Sequence, residues 1–127
     1  MKESPILMTV FTAVLIALAS VTRDHEPVKI TGYVVDLVCF EDQAKRHPES
    51  ALKAAAEHTK ECSLMEQCMK AGYGVYADGI WYPFDSKGNE LAKAILEWAP
   101  KKDHIRVTVE GIRHGGKILV ESITEVE

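Results

Sequence analysis

The chain has 127 residues, 46% of them hydrophobic and 27% charged, and a net charge of −4. That length supports one real core and not two. The charge is mild, Lys and Arg are scattered, and no basic stripe with interleaved aromatics occurs, which argues against nucleic acid as a partner.

Lys2 gives a weakly positive start, offset by Glu3, and Ile6 to Ala19 is an almost unbroken apolar run. Ala17-Leu18-Ala19 before Ser20 is a small-x-small cleavage pattern. The run has the length of a signal-peptide core and falls short of the roughly 20 residues of a membrane span. Extended through Val21, it reads alternatively as a retained anchor. Residues 1–19 are thus expected to be a signal peptide, 20–27 a polar linker ending in Pro27, and 28–127 one domain in the periplasm or outside the cell. Contact with a membrane is expected only if the first segment is retained.

Val28 to Val38 is rich in β-branched residues and predicts the first strand, with Gly32 marking a bulge or sharp bend. From Glu41 to Lys60 the character changes. His47-Pro48 ends a turn, and Pro48-Glu49-Ser50 starts a helix carried by Ala51, Leu52, Ala54, Ala55 and Ala56. Glu61 to Lys70 is helical in part and stops at Ala71-Gly72-Tyr73-Gly74. Val75-Tyr76-Ala77 and Ile80-Trp81-Tyr82 flank Asp78-Gly79, a strong hairpin signal. Trp81, Tyr82 and Phe84 read as core and barrel rim. Glu90 to Trp98 predicts an amphipathic helix with Leu91, Ile95 and Trp98 on one face, closed by Pro100. His104–Ile112 alternates as a strand, Gly115-Gly116 turns, and Lys117–Val126 is the last strand. The fold class is α+β, mostly β. Five strands, a helical insertion after the first and a helix between the third and fourth follow the order of an OB-like barrel.

The chemistry is concentrated between Asp36 and Met69. Three cysteines in an exported chain are an odd number, so at least one of Cys39, Cys62 and Cys68 is free, metal-bound or joined to another molecule. On a continuous helix His58 and Cys62, four residues apart, would share a face, and Met65 and Met69 would continue that stripe. Cys68 needs a turn after Cys62 to reach the same ion. Cys39, His58, Cys62 and Cys68 form a Cys3His set suited to tetrahedral zinc, and nearby Met65 or Met69 sulfur would suit copper. Asp36 is the candidate partner behind His58. The plainer reading pairs Cys39 with Cys62 or Cys68 as a disulfide worth roughly 2–4 kcal/mol, with the methionines filling the core. No phosphate loop, nucleophile elbow or pair of hydrolytic acids occurs.

Taken together, Gly32-Tyr33-x-x-Asp36-x-x-Cys39, then His58-x-x-x-Cys62, then Cys68-x-x-x-Gly72, with Val107-x-Val109-x-Gly111 and a closing Val120-x-Ser122-Ile123, resemble a family of small exported bacterial proteins. The resemblance spans nearly all of the chain after residue 19. It implies export and an OB-like fold, marks Asp36, Cys39, His58, Cys62 and Cys68 as positions of the family's type, and implies no activity. Three functions remain open at this point. The first is a non-enzymatic domain holding zinc or copper. The second is a disulfide-stapled module or accessory subunit of an envelope complex. The third is a thiol-redox protein, disfavoured by the lack of a CxxC motif.

Overall fold

The computed structural model describes residues 25–127, so the expected signal segment and the start of the expected linker lie outside the described residues. The elements run β1 (Glu26–Asp36), α1 (Leu37–Arg46), a 3-10 turn (Pro48–Ser50), α2 (Ala51–Glu57), α3 (Lys60–Ser63) and α4 (Glu66–Ala71). They continue with β2 (Tyr73–Ala77), β3 (Ile80–Pro83), α5 (Ser86–Trp98), β4 (Arg106–His114) and β5 (Lys117–Glu125). Glu26 and Pro27, read from sequence as linker, are the first residues of β1 and pair with Arg113 and Ile112. No helix among the described residues is long and apolar enough to cross a membrane.

The five strands form one antiparallel sheet in the order β3-β2-β1-β4-β5. β1 is the hinge of this arrangement. Its first part, through Tyr33, pairs with β4, and its last residues, Tyr33 to Asp36, pair with β2. Gly32 stands at that handover. A Cβ there would lie 2.2 Å from the Tyr76 carbonyl oxygen, so the glycine serves a close backbone approach. The register irregularity of the sheet lies elsewhere, between Glu110 and Gly111 on β4.

The predicted strand number and element order are present, but the sheet is not closed into a barrel. Among the described residues its edges β3 and β5 share no ladder; the chain just after β3 makes one parallel bridge to β5, Phe84 to Ile118. β3 is short and ends in Pro83, which has no amide hydrogen to continue a ladder. The chain turns there into α5. Asp85 caps that helix by accepting from the Gly88 amide at 2.9 Å, and the same carboxylate oxygen accepts from the Val120 amide of β5 at 3.2 Å.

α5 covers the inner face of the sheet. Its buried positions are Gly88, Ala92 and Leu96, with Leu91 and Ile95 beside them. Trp98, expected on that face, is 85% exposed. The close seat of Gly88 against Phe84 and Val120 rotates the helix so that its last turn points Trp98 outward. The main core joins this face to Val34, Val75, Val107, Val109 and Ile118. Successive residues of a strand face opposite ways. Val35 accordingly belongs to a second, smaller core with Phe40, Ala51, Ala55 and Tyr76.

The sequence reading carried the first strand to Val38. The chain instead leaves the sheet at Asp36, whose side chain caps α1, and Leu37 and Val38 become its first turn. A capping aspartate outweighs the β preference of two apolar residues.

Candidate metal centre

Each cysteine sits at the same place in a short helix. Cys39, Cys62 and Cys68 are the third residues after the caps Asp36, Thr59 and Met65 of α1, α3 and α4. The Cys39 amide donates to Asp36 Oδ1 at 2.9 Å, and the Cys62 amide to Thr59 Oγ1 at 3.2 Å. The Cys68 amide donates to the Met65 carbonyl at 3.0 Å. Each cap therefore orients the helix turn that carries a thiol.

The three turns converge. The sulfurs of Cys39, Cys62 and Cys68 all lie within 4.8 Å of one another, and Cys39 Sγ is 3.5 Å from Cys62 Sγ. All three cysteines are free. Cys68 is fully buried; the other two are partly exposed. Cys39 also belongs to a second triad with Asp36 and His58, whose donor atoms again fall within 4.8 Å. This Cys/His/Asp cluster has the donor types and spacing to hold a metal ion.

Asp36 is the junction of the site and has no solvent exposure. One oxygen holds the start of α1. The other bonds His58 Nε2 and accepts from Ser63 Oγ at 3.4 Å. One carboxylate thereby ties together α1, the residue after α2, and α3. Tyr73 on β2 completes the support, donating its hydroxyl to the Ser63 carbonyl at 2.6 Å. Lys60 of α3 reaches the Ala99 carbonyl at 2.6 Å, and the His104 amide donates to the Ala56 carbonyl at 2.7 Å. These polar contacts moor the insertion to the body of the protein.

The buried carboxylate sets the local electrostatics. Burial alone would raise the Asp36 pKa, but the hydrogen bonds to His58 and the Cys39 amide outweigh it and leave it below its ordinary value. Burial pushes the Cys68 thiol up to about 11, helped by the Asp36 charge. Burial raises the Cys39 thiol further, with Cys62 and the Asp36 charge adding to it. Burial and the same carboxylate push Tyr73 up to about 12. Without a neighbouring cation these two thiols stay protonated at neutral pH. A bound divalent ion reverses that preference, because coordination deprotonates a thiol outright.

The predicted His58–Cys62 helix face does not exist. α2 stops at Glu57, His58 is extended, and the chain restarts at the Thr59 cap. His58 meets Asp36 across the fold instead, and is still brought beside Cys39. The methionine stripe dissolves for the same reason. Met69 packs against the main core, and Met65 is 47% exposed at the start of α4. Sequence reasoning missed Ser63, Thr59 and Tyr73. The repeated cap-x-x-Cys spacing in Asp36–Cys39 and Thr59–Cys62 was the signal that could have found Thr59 and the helix break. A cavity of about 300 Å3 opens beside the site, lined by Gln43, Ala54, Glu57, His58, Thr59 and Cys62.

No family model matches the chain, and no curated protein and no solved structure matches it. The resemblance to small exported bacterial proteins thus rests on its motifs alone.

Proposed function

We propose that this chain is an exported, non-catalytic domain of OB type that holds one transition-metal ion, zinc or copper, in its helical insertion. One observation carries the reading: three thiols on three separate helices meet within 4.8 Å. A disulfide uses two sulfurs and needs no third. A thiophilic ion uses all three, and zinc and Cu(I) are the ions that thiolate sets select. Cys39, Cys62 and Cys68 are the sulfur ligands, and His58 is the fourth donor. Ligating histidines are typically backed by a carboxylate on the other ring nitrogen. The bond from His58 Nε2 to Asp36, and the place of His58 in a triad with Cys39, support that role.

The OB reading is supported by β1 pairing with both β2 and β4, and by the parallel bridge at Phe84 and Ile118, where such a barrel would close. Export rests on the Ile6–Ala19 run and the Ala17-Leu18-Ala19 pattern.

The test is metal content and thiol count on one sample purified without chelator. About one zinc or copper per chain, with thiols reacting only after denaturation and chelation, is the expected result. A protein that binds neither ion even after reduction and reconstitution overturns the reading. Intact mass tests export separately: a mature chain starting at Ser20 is expected, and a retained Met1 in a soluble fraction rejects it.

A further inference from the structure

The three thiols are not equivalent. Cys39 and Cys62 are partly exposed, and their sulfurs lie 3.5 Å apart. Cys62 lines the cavity beside the site. Cys68 has no solvent exposure. A disulfide needs a sulfur–sulfur distance of about 2.05 Å, so the first pair is one short approach from bonding. An oxidant entering by the cavity meets Cys62 first and Cys68 not at all.

The geometry points to a redox-gated metal site: a small-molecule disulfide oxidises Cys39 and Cys62 to a disulfide, and the bound ion is released while Cys68 stays reduced. This rests on the metal reading above. The Cys62 thiolate attacks one sulfur of the incoming disulfide and expels the first small thiolate. The Cys39 thiolate then attacks the Cys62 sulfur, forms the protein disulfide and expels the second. Two protein sulfurs lose two electrons and the reagent gains two. No proton moves in these two steps, since both attacking sulfurs are metal-bound thiolates; the freed ion passes to the small thiolates or to water, and the Cys68 thiolate, no longer coordinated, takes a proton from water. What remains at the site is one thiol with Asp36 and His58. Zinc affinity is expected to fall by at least about 100-fold, beyond the 10–100-fold that follows loss of a single hydrogen-bond partner behind a ligand.

The experiment uses the full chain, reduced and loaded with zinc, in buffers of increasing oxidised glutathione. Zinc release is read with a chromophoric chelator, remaining thiols by titration, and the bond by peptide mapping. The expected result is a Cys39–Cys62 disulfide, one surviving thiol, and zinc release in step with the bond. Cys39→Ser and Cys62→Ser should not form the bond. If a variant fails to fold, mapping of the unmodified chain decides alone. A bond to Cys68, a Cys39–Cys62 bond with zinc retained, or no bond in the zinc-loaded protein overturns the gate. A reduced chain that never takes up zinc or copper, yet forms the Cys39–Cys62 bond, overturns the metal reading instead and leaves a disulfide staple.

Discussion

The two cores on either side of β1 are built from different materials. The main core is closed by large aliphatic side chains, with Leu96, Val107, Val109 and Ile118 essentially without exposure. The second packs Phe40 of the insertion and Tyr76 of β2 against small alanines, and the deepest groups beneath the insertion are polar or sulfurous: Asp36, Ser63 and Cys68. Area removed from water stabilises the first, at about 25 cal/mol per Å2 of apolar surface. The helices of the insertion are short, α3 and α4 spanning only Lys60–Ser63 and Glu66–Ala71, and isolated helices of that length are marginal. The second region therefore depends on one carboxylate's hydrogen bonds and, on our reading, on a shared ion. The sheet side gives the protein its stability, and the helical side is free to carry chemistry that responds to conditions.

Leu96→Ala attacks the sheet side directly. It should cost about 2–5 kcal/mol in denaturant unfolding, since a buried leucine leaves a cavity that the sheet cannot fill. A loss under about 1 kcal/mol would erase the contrast between the two cores. Zinc should act on the other side only. At about 100 times its Kd it adds about 2.7 kcal/mol to the parts that fold around it. Hydrogen exchange should show slowing of the α3 and α4 amides, while the β1–β4 amides are unchanged; equal protection of both would mean the insertion is no separate unit.

Asp36→Asn keeps the shape of the cap and removes the charge that fixes His58. Zinc affinity should drop about 10–100-fold, read by competition with a chelator. The same variant sharpens the pH behaviour of the metal-free protein. Asp36 is held below its ordinary 3.8, so its contribution is fully present above that value and is lost as pH falls below it through the lowered one. Unfolding free energy measured at pH 6 and pH 3 should fall less in Asp36→Asn than in the parent. An equal fall would assign acid sensitivity to other groups. Smallest of all is Trp98→Ala. An 85% exposed side chain should move stability by less than about 0.5 kcal/mol, and a larger loss would show that the end of α5 is packed against something.

Local chemistry was legible in the sequence wherever it is decided locally. The alternation in β4 and β5, the Asp78-Gly79 turn and the stop at Gly72 are set by neighbours within a few residues, and the structure has them. The candidate ligands were also legible, because an odd cysteine count near a histidine is a compositional fact. Less legible was how His58 joins the site. A periodic reading assumes one continuous helix, and the Thr59 cap breaks it, so the bond to Asp36 runs between residues 22 positions apart. Nor could periodicity place Trp98, because the seat of Gly88 on the sheet sets the rotation of α5.

By itself, the sequence determined which segments alternate, where turns fall, and that sulfur, imidazole and carboxylate crowd into one stretch after the first strand. Only the tertiary structure decided that the three thiols meet, that the helix carrying a methionine stripe is broken, and that the sheet stays open between β3 and β5. The reason is physical. Strand and turn preferences are set by a residue's own backbone and near neighbours, whereas the Cys39–Cys62 approach spans 23 residues. It exists because β1, ending at a buried aspartate, gives α1, α3 and the end of α2 one common anchor.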